Sequence, residues 1–174
     1  YETGGAITGT PLVLDGRLYI GSFDGNLYIL DTDTGSAVGV IPLGGWIWAG
    51  PTVDTTKKTI YVTTLGGNLY ALDRRALDRG QEPEEWPPVP VSGPVLAPPS
   101  TLDERIFFTD DQGLRMVGQD GRIERRDPCR LSTRVRSSIV TYKDLVYLID
   151  EDRNIWTLDT KQCTQTIVYG PGRK

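Results

Sequence analysis

An all-β chain built from one repeated unit of antiparallel strands is what this sequence predicts. The first observation is a recurring motif. Gly21-Ser22-Phe23-Asp24-Gly25-Asn26-Leu27-Tyr28-Ile29-Leu30-Asp31 returns as Leu65-Gly66-Gly67-Asn68-Leu69-Tyr70-Ala71-Leu72-Asp73, then more weakly at Asp111–Gly118 and Asp152–Asp159. The second is the spacing. Leu27, Leu69, Leu114 and Ile155 lie 42, 45 and 41 residues apart, and Tyr19, Tyr61, Phe107 and Tyr147 lie 42, 46 and 40 apart. A third ladder, Pro11, Pro51, Pro94 and Ser138, has gaps of 40, 43 and 44. The third observation is turn chemistry: Asp-Gly and Gly-Asn pairs separate short runs of β-branched and aromatic residues, and no long segment has a helical period.

The first unit justifies the elements in order. Pro11-Leu12-Val13-Leu14 is a strand ended by Asp15-Gly16. Leu18-Tyr19-Ile20-Gly21 is a second, ended by Asp24-Gly25-Asn26. Leu27-Tyr28-Ile29-Leu30 is a third, followed by Asp31-Thr32-Asp33-Thr34-Gly35, and Ala37-Val38-Gly39-Val40-Ile41 is the fourth. Asp-Gly supplies the positive φ angles that a tight hairpin turn needs. The stretch Asp73 to Arg79 has a faint helical period, but it is short and charged.

Four strands in 40–45 residues, repeated at a fixed period, is the form of a β-propeller blade. A sandwich of short strands is the alternative, and it gives no reason for a fixed period. The expected organisation is a single domain, 1–174, with repeats near 4–45, 46–90, 91–131 and 132–174. Four such units are expected to be part of a seven- or eight-bladed ring rather than a closed monomer. The larger ring ranks ahead of a ring completed by a second copy or another subunit.

Composition narrows the chemistry. The 174 residues include no His, which removes Ser-His-Asp and Cys-His pairs and imidazole metal ligands. The net charge of −4 disfavours a dedicated nucleic-acid binder. No apolar run approaches the length of a transmembrane helix.

The wording of unit one, from Gly4 to Gly35, resembles the PQQ-like (pyrroloquinoline-quinone-like) repeat: small-Pro, strand, Asp-Gly, Tyr strand, then Asp-Gly-x-Leu-Tyr-x-Leu-Asp-x-x-Thr-Gly. Unit two keeps Gly50-Pro51, Tyr61 and Gly67–Asp73, whereas units three and four keep mainly the spacing. The resemblance implies one of two classes. Quinoprotein dehydrogenases hold the quinone and a calcium ion. Cofactor-free propellers, such as the outer-membrane assembly lipoprotein, act as scaffolds. Dehydrogenases of this kind typically carry adjacent cysteines, but Cys129 and Cys163 are 34 residues apart. They also use Asn and Glu as calcium ligands, yet Asn26, Asn68 and Asn154 share one turn position in their repeats, which marks them as hairpin residues. The reading is therefore no enzyme, with no catalytic, cofactor-binding or metal-ligating residue in this chain. Localisation outside the cytoplasm follows from the resemblance alone.

Trp46 and Trp48 stand where unit one has Ala6 and Thr8. Large aromatics replacing small residues on a crossing loop form either a partner anchor or ligand shelf, or a plug in the channel or the seam between blades. Residues 122–136 carry six arginines, among them Arg130, Arg134 and Arg136, against Glu124 and Asp127. They are a candidate partner surface or a solvated outer strand. The insert from Arg74 to Val91 is expected to be extended, because prolines dominate its second half. Cys129 is placed at an outer-strand end and Cys163 in the last turn. Those are opposite ends of a blade, so a disulfide requires a shifted register. The leading expectation is a scaffold that binds protein partners. A quinoprotein segment, or a carbohydrate or small-ligand module using Trp46 and Trp48, are the alternatives.

Overall fold

In the computed structural model the described residues are 1–54, 58–81, 83, 86–102, 104–123, 129, 131, 135 and 137–170. Among these residues fifteen strands and one short helix follow one another along the chain. The first sheet holds β1 (Leu12–Leu14), β2 (Arg17–Gly21), β3 (Asn26–Asp31) and β4 (Ala37–Pro42). The second holds β5 (Thr52–Asp54), β6 (Thr59–Thr64), β7 (Asn68–Asp73) and β8 (Val89–Pro90). Helix α1 (Arg74–Leu77) is inserted between β7 and β8. The third sheet holds β9 (Ser100–Leu102), β10 (Arg105–Asp110) and β11 (Gly113–Gly118). The fourth holds β12 (Val140–Tyr142), β13 (Leu145–Ile149), β14 (Ile155–Asp159) and β15 (Gln165–Tyr169). Each is an antiparallel meander in chain order, so the chain is an all-β propeller arc of four blades.

The hairpins are local sequence effects. Asp15 and Gly16 both have positive φ, at 47° and 75°, which closes the two-residue turn between Leu14 and Arg17. Gly25 and Gly67 hold equivalent turns before β3 and β7, at φ 87° and 89°.

The aromatic ladder sits in one register. Tyr19 pairs with Leu12, Tyr61 with Thr52, Phe107 with Ser100 and Tyr147 with Val140. Side chains paired across antiparallel strands share a face. That face, here called the front, packs on the back of the next blade. Tyr19, Leu27 and Ile29 meet Ile60, Val62 and Leu72. Tyr61, Leu69 and Ala71 meet Ile106, Phe108 and Val117. Phe107, Leu114 and Met116 meet Val146, Leu148 and Leu158. Tyr19, Tyr61 and Phe107 are 0%, 1% and 1% exposed.

Among the described residues no such core joins the fourth blade to the first. The front of blade four carries Val140, Tyr142, Tyr147, Ile149, Ile155 and Tyr169 on one face by pairing. Val140, Tyr142 and Tyr169 are 59–62% exposed. On the back of blade one, Val13 is exposed, while Tyr1 packs its ring on Tyr28 at 5.6 Å.

Four expectations need correction. The third proline ladder slips by several residues: the residues directly before β1, β5, β9 and β12 are Pro11, Pro51, Pro99 and Ile139, not Pro94 and Ser138. The segment after Asp73 is helical. Asp73 caps α1 by accepting from the Ala76 amide at 2.6 Å, and Leu77 is fully buried in the first seam. From the same insert Arg74 reaches Asp15 at 2.6 Å, and Asp78 accepts from the Tyr19 hydroxyl at 2.6 Å. Among the described residues, the fourth strand of blade three shows as two bridges, Val117 with Ile123 and Leu114 with Cys129.

The fourth correction concerns the cysteines. Cys129 and Cys163 form a disulfide, with Cα atoms 5.4 Å apart. Their positions are opposite ends of a blade only in a flat drawing. Each strand rotates by about 20–25° from its neighbour, so an outer strand leans across the rim. The rim of blade three and the last turn of blade four thus meet over the third seam.

The seams give a direct test. Phe107→Ala is expected to lower the unfolding free energy by about 3–5 kcal/mol. Tyr147→Ala at the equivalent, half-buried position costs less than half as much. Urea denaturation of the two variants measures this. Equal losses would mean that the front of blade four is as well covered as that of blade three.

Candidate aromatic docking site

The loop from Leu43 to Pro51 carries the chain from β4 to β5. It lies against the β2–β3 turn, where the Ile47 amide donates to the Ser22 carbonyl at 3.2 Å. Ile47 is fully buried. It occupies the space left by Gly21, where a Cβ would come within 2.1 Å of the Ile47 Cγ2. Ile47 is thus the plug of this seam. The flanking indoles point the other way, with Trp46 59% and Trp48 40% exposed. The reading of Trp46 and Trp48 as a seam plug is therefore corrected.

Phe23 organises the two indoles. Its ring stacks on Trp46 at 5.5 Å with 9° between planes, and on Trp48 at 5.5 Å with 28°. Trp48 is further fixed through its carbonyl, which accepts from the Thr8 hydroxyl at 2.9 Å. Stacking of this kind orders exposed aromatics that would otherwise be free rotors. Backbone bonds define the equivalent positions in other repeats: the Phe23 amide donates to Ala6, the Leu65 amide to Trp46 and the Asp111 amide to Ser92. Trp46 thus stands where siblings have Ala6 and Ser92, and Phe23 where they have Leu65 and Asp111. Two other crossing loops thus put a small residue where this one has Trp46.

Beside Trp46 is a shallow open depression whose lining includes Asp24, Asn26, Pro42, Gly44 and Gly45. Asp24 accepts from the Gly4 amide at 2.8 Å, from the Asn26 amide at 3.0 Å and from the Tyr28 hydroxyl. Burial works against its ionisation. The bonds from Tyr28, Asn26 and Gly4 outweigh that and hold the carboxyl below its ordinary value. The fourth blade repeats the device. Asp150 accepts from the Asn154 amide and side chain, both at 2.8 Å, and from the Trp156 indole at 2.7 Å. Against the cost of burial these bonds likewise hold the Asp150 carboxyl low. The Asn154 side chain is committed to this turn, as its repeat position suggests.

Arg130, Arg134 and Arg136 lie outside the described residues, as do Arg125 and Arg126. Arg122 is described and solvated, with its Nε 3.5 Å from Asp120. Sequence reading missed Phe23 and Asp24 as members of the aromatic site. The signal was present, because Phe23 is an aromatic inside a turn where the second repeat has Leu65.

No family model matches the sequence, and no curated protein matches it. Solved structures do. The chain is similar to BamB from Moraxella catarrhalis, with a TM-score of 0.73 and 19% identity over 95% of this chain and 50% of that one. It is similar to the WD40 repeats of RRP9, with a TM-score of 0.79 and 10% identity over 98% of this chain and 53% of that one. The computationally designed Ika4 protein matches with a TM-score of 0.71 and 13% identity, over 91% of this chain and 93% of that one. The chain thus spans about half the length of BamB and of the RRP9 repeats. At these identities the likeness establishes the propeller fold.

The carboxylates set a pH dependence. Their folded values lie below the unfolded value of about 3.9. The stability they add is therefore present above that value and is lost as pH falls through the folded values. An Asp24→Asn, Asp150→Asn variant is expected to be less stable than the parent at pH 7. The gap should narrow as pH falls from about 5 toward 3, and urea midpoints across that range will show it. A gap independent of pH would show that the charged form is not what these turns favour.

Proposed function

We propose that this chain is a rigid propeller scaffold that binds a protein partner through the Trp46–Phe23–Trp48 stack and performs no chemistry of its own. One observation carries the reading. Two ordered, exposed indoles occupy a loop where the sibling repeats close with small residues, so packing does not demand them. Exposed tryptophans held by a neighbour are the residue type that anchors protein interfaces. Their rotamer freedom is already restricted, so docking loses little entropy.

Two further elements of the proposal rest on other observations. The Cys129–Cys163 bond supports a location in an oxidising compartment outside the cytoplasm. The apolar front of blade four is equivalent in register to the fronts that are buried within the chain. It is suited to the back of another blade of the same kind, and a larger ring remains the preferred way to supply one. The repeat type is PQQ-like by its wording in the first unit, and the boundaries near residues 45, 90 and 131 belong to the same proposal.

Affinity purification with the parent chain and a Trp46→Ala, Trp48→Ala variant tests the docking loop. Both proteins are expected to be folded, the variant less stable by about 1–3 kcal/mol through loss of its two stacks on Phe23. A partner retained by the parent should be lost by the variant. Identical retention by both would remove the aromatic loop from the proposal.

A further inference from the structure

We infer that the open face of Trp46 and the carboxylate of Asp24 form a seat for an arginine side chain, presented by an extended segment of a partner protein. The inference rests on the docking loop proposed above and names the chemistry of what docks there.

Three features converge on this occupant. Phe23 stacks on Trp46 almost parallel, which covers one face of the indole, and the residue nonetheless remains mostly exposed. Trp46 and Asp24 border the same depression. The π-face of an indole attracts a cation, and a carboxylate beside it adds to that attraction. At Gly44 that border leaves room for a chain, because no atom lies within 4 Å of where a Cβ would project.

The neighbouring groups discriminate among ligands. Asp24 already accepts from two amides and a hydroxyl, which keeps it ionised and leaves it little free acceptor capacity for sugar hydroxyls. What it offers is chiefly negative charge. A guanidinium is planar, stacks on an indole and can direct one N–H at a carboxylate, whereas an ammonium offers only a point charge. The pairing is absent from the two other junctions defined by the same backbone bond. The residues equivalent to Trp46 are Ala6 and Ser92, and those following Leu65 and Asp111, equivalent to Asp24, are Gly66 and Gln112. The net charge of −4 also favours a basic partner.

The test is a titration of the isotope-labelled chain, followed at the indole N–H resonances, with four blocked pentapeptides. All have glycine and serine flanks, and the central residue is arginine, lysine, citrulline or alanine. The arginine peptide is expected to shift the Trp46 indole saturably, while those of Trp86 and Trp156 stay in place. Citrulline, which keeps the shape and loses the charge, should bind about tenfold more weakly. Trp46→Ala, which installs the residue type that Ala6 supplies at the equivalent position, should abolish the effect. Asp24→Asn should weaken it by a similar factor, with the remaining resonances reporting that the variant is folded. Equal binding of arginine and citrulline peptides, or no saturable shift with arginine, would overturn the seat. So would maltotriose binding at Trp46 with the arginine peptide inactive. None of these results touches the docking loop itself, which falls only if the double tryptophan variant retains its partner.

Discussion

Side chains alternate across a strand, so every blade of this chain has two faces, and neither face can be buried by its own blade. Everything else in the structure is arranged around that constraint. The aromatic at the centre of each second strand is the knob of one face, and the apolar pair on either side of it faces the other way. Tyr19, Tyr61 and Phe107 are buried because Ile60, Ile106 and Val146 stand behind them. The period of the sequence is the period of this front-to-back contact. It also explains why individual strands can be as short as two residues, since the blade is held by its neighbours as much as by its own ladder.

The turns beside the seams are held by a second recurring device with changing chemistry. In each third strand the residue after the anchor Leu27, Leu69, Leu114 or Ile155 sends a polar head back to the preceding turn or crossing loop. Tyr28 reaches Asp24, Tyr70 reaches the Leu43 carbonyl, Arg115 reaches Asp110 at 3.3 Å and Trp156 reaches Asp150. The position is kept and the donor varies. Such ties rigidify the loops on one rim, and a rigid rim is what lets the Phe23 stack present its indoles in a fixed geometry.

The blade architecture was legible because it depends on local turn chemistry and on alternation, both of which are written residue by residue. Asp15-Gly16 and the tyrosine ladder mark hairpins and fronts without any knowledge of tertiary contacts. Three features were hidden for a common reason. The disulfide depends on the accumulated twist of two blades, which no linear register displays. The helix after Asp73 is fixed by Leu77 entering the first seam, a contact with another blade. Phe23 joins Trp46 and Trp48 because a crossing loop folds onto a hairpin turn more than twenty residues away. Pro94 misled because proline recurs densely through that insert, and the strand begins only after Pro99.

The disulfide has a mechanical side. It ties residues 34 apart in sequence, so the chain between Cys129 and Cys163, including most of blade four, is a closed loop. Tension applied to the two ends of the chain passes through the sulfur bridge rather than through that loop. Roughly 110 Å of extended chain is thereby shielded from the load. Under force the strands β12, β13 and β14 are spared the load, while β15, which lies beyond Cys163, is not.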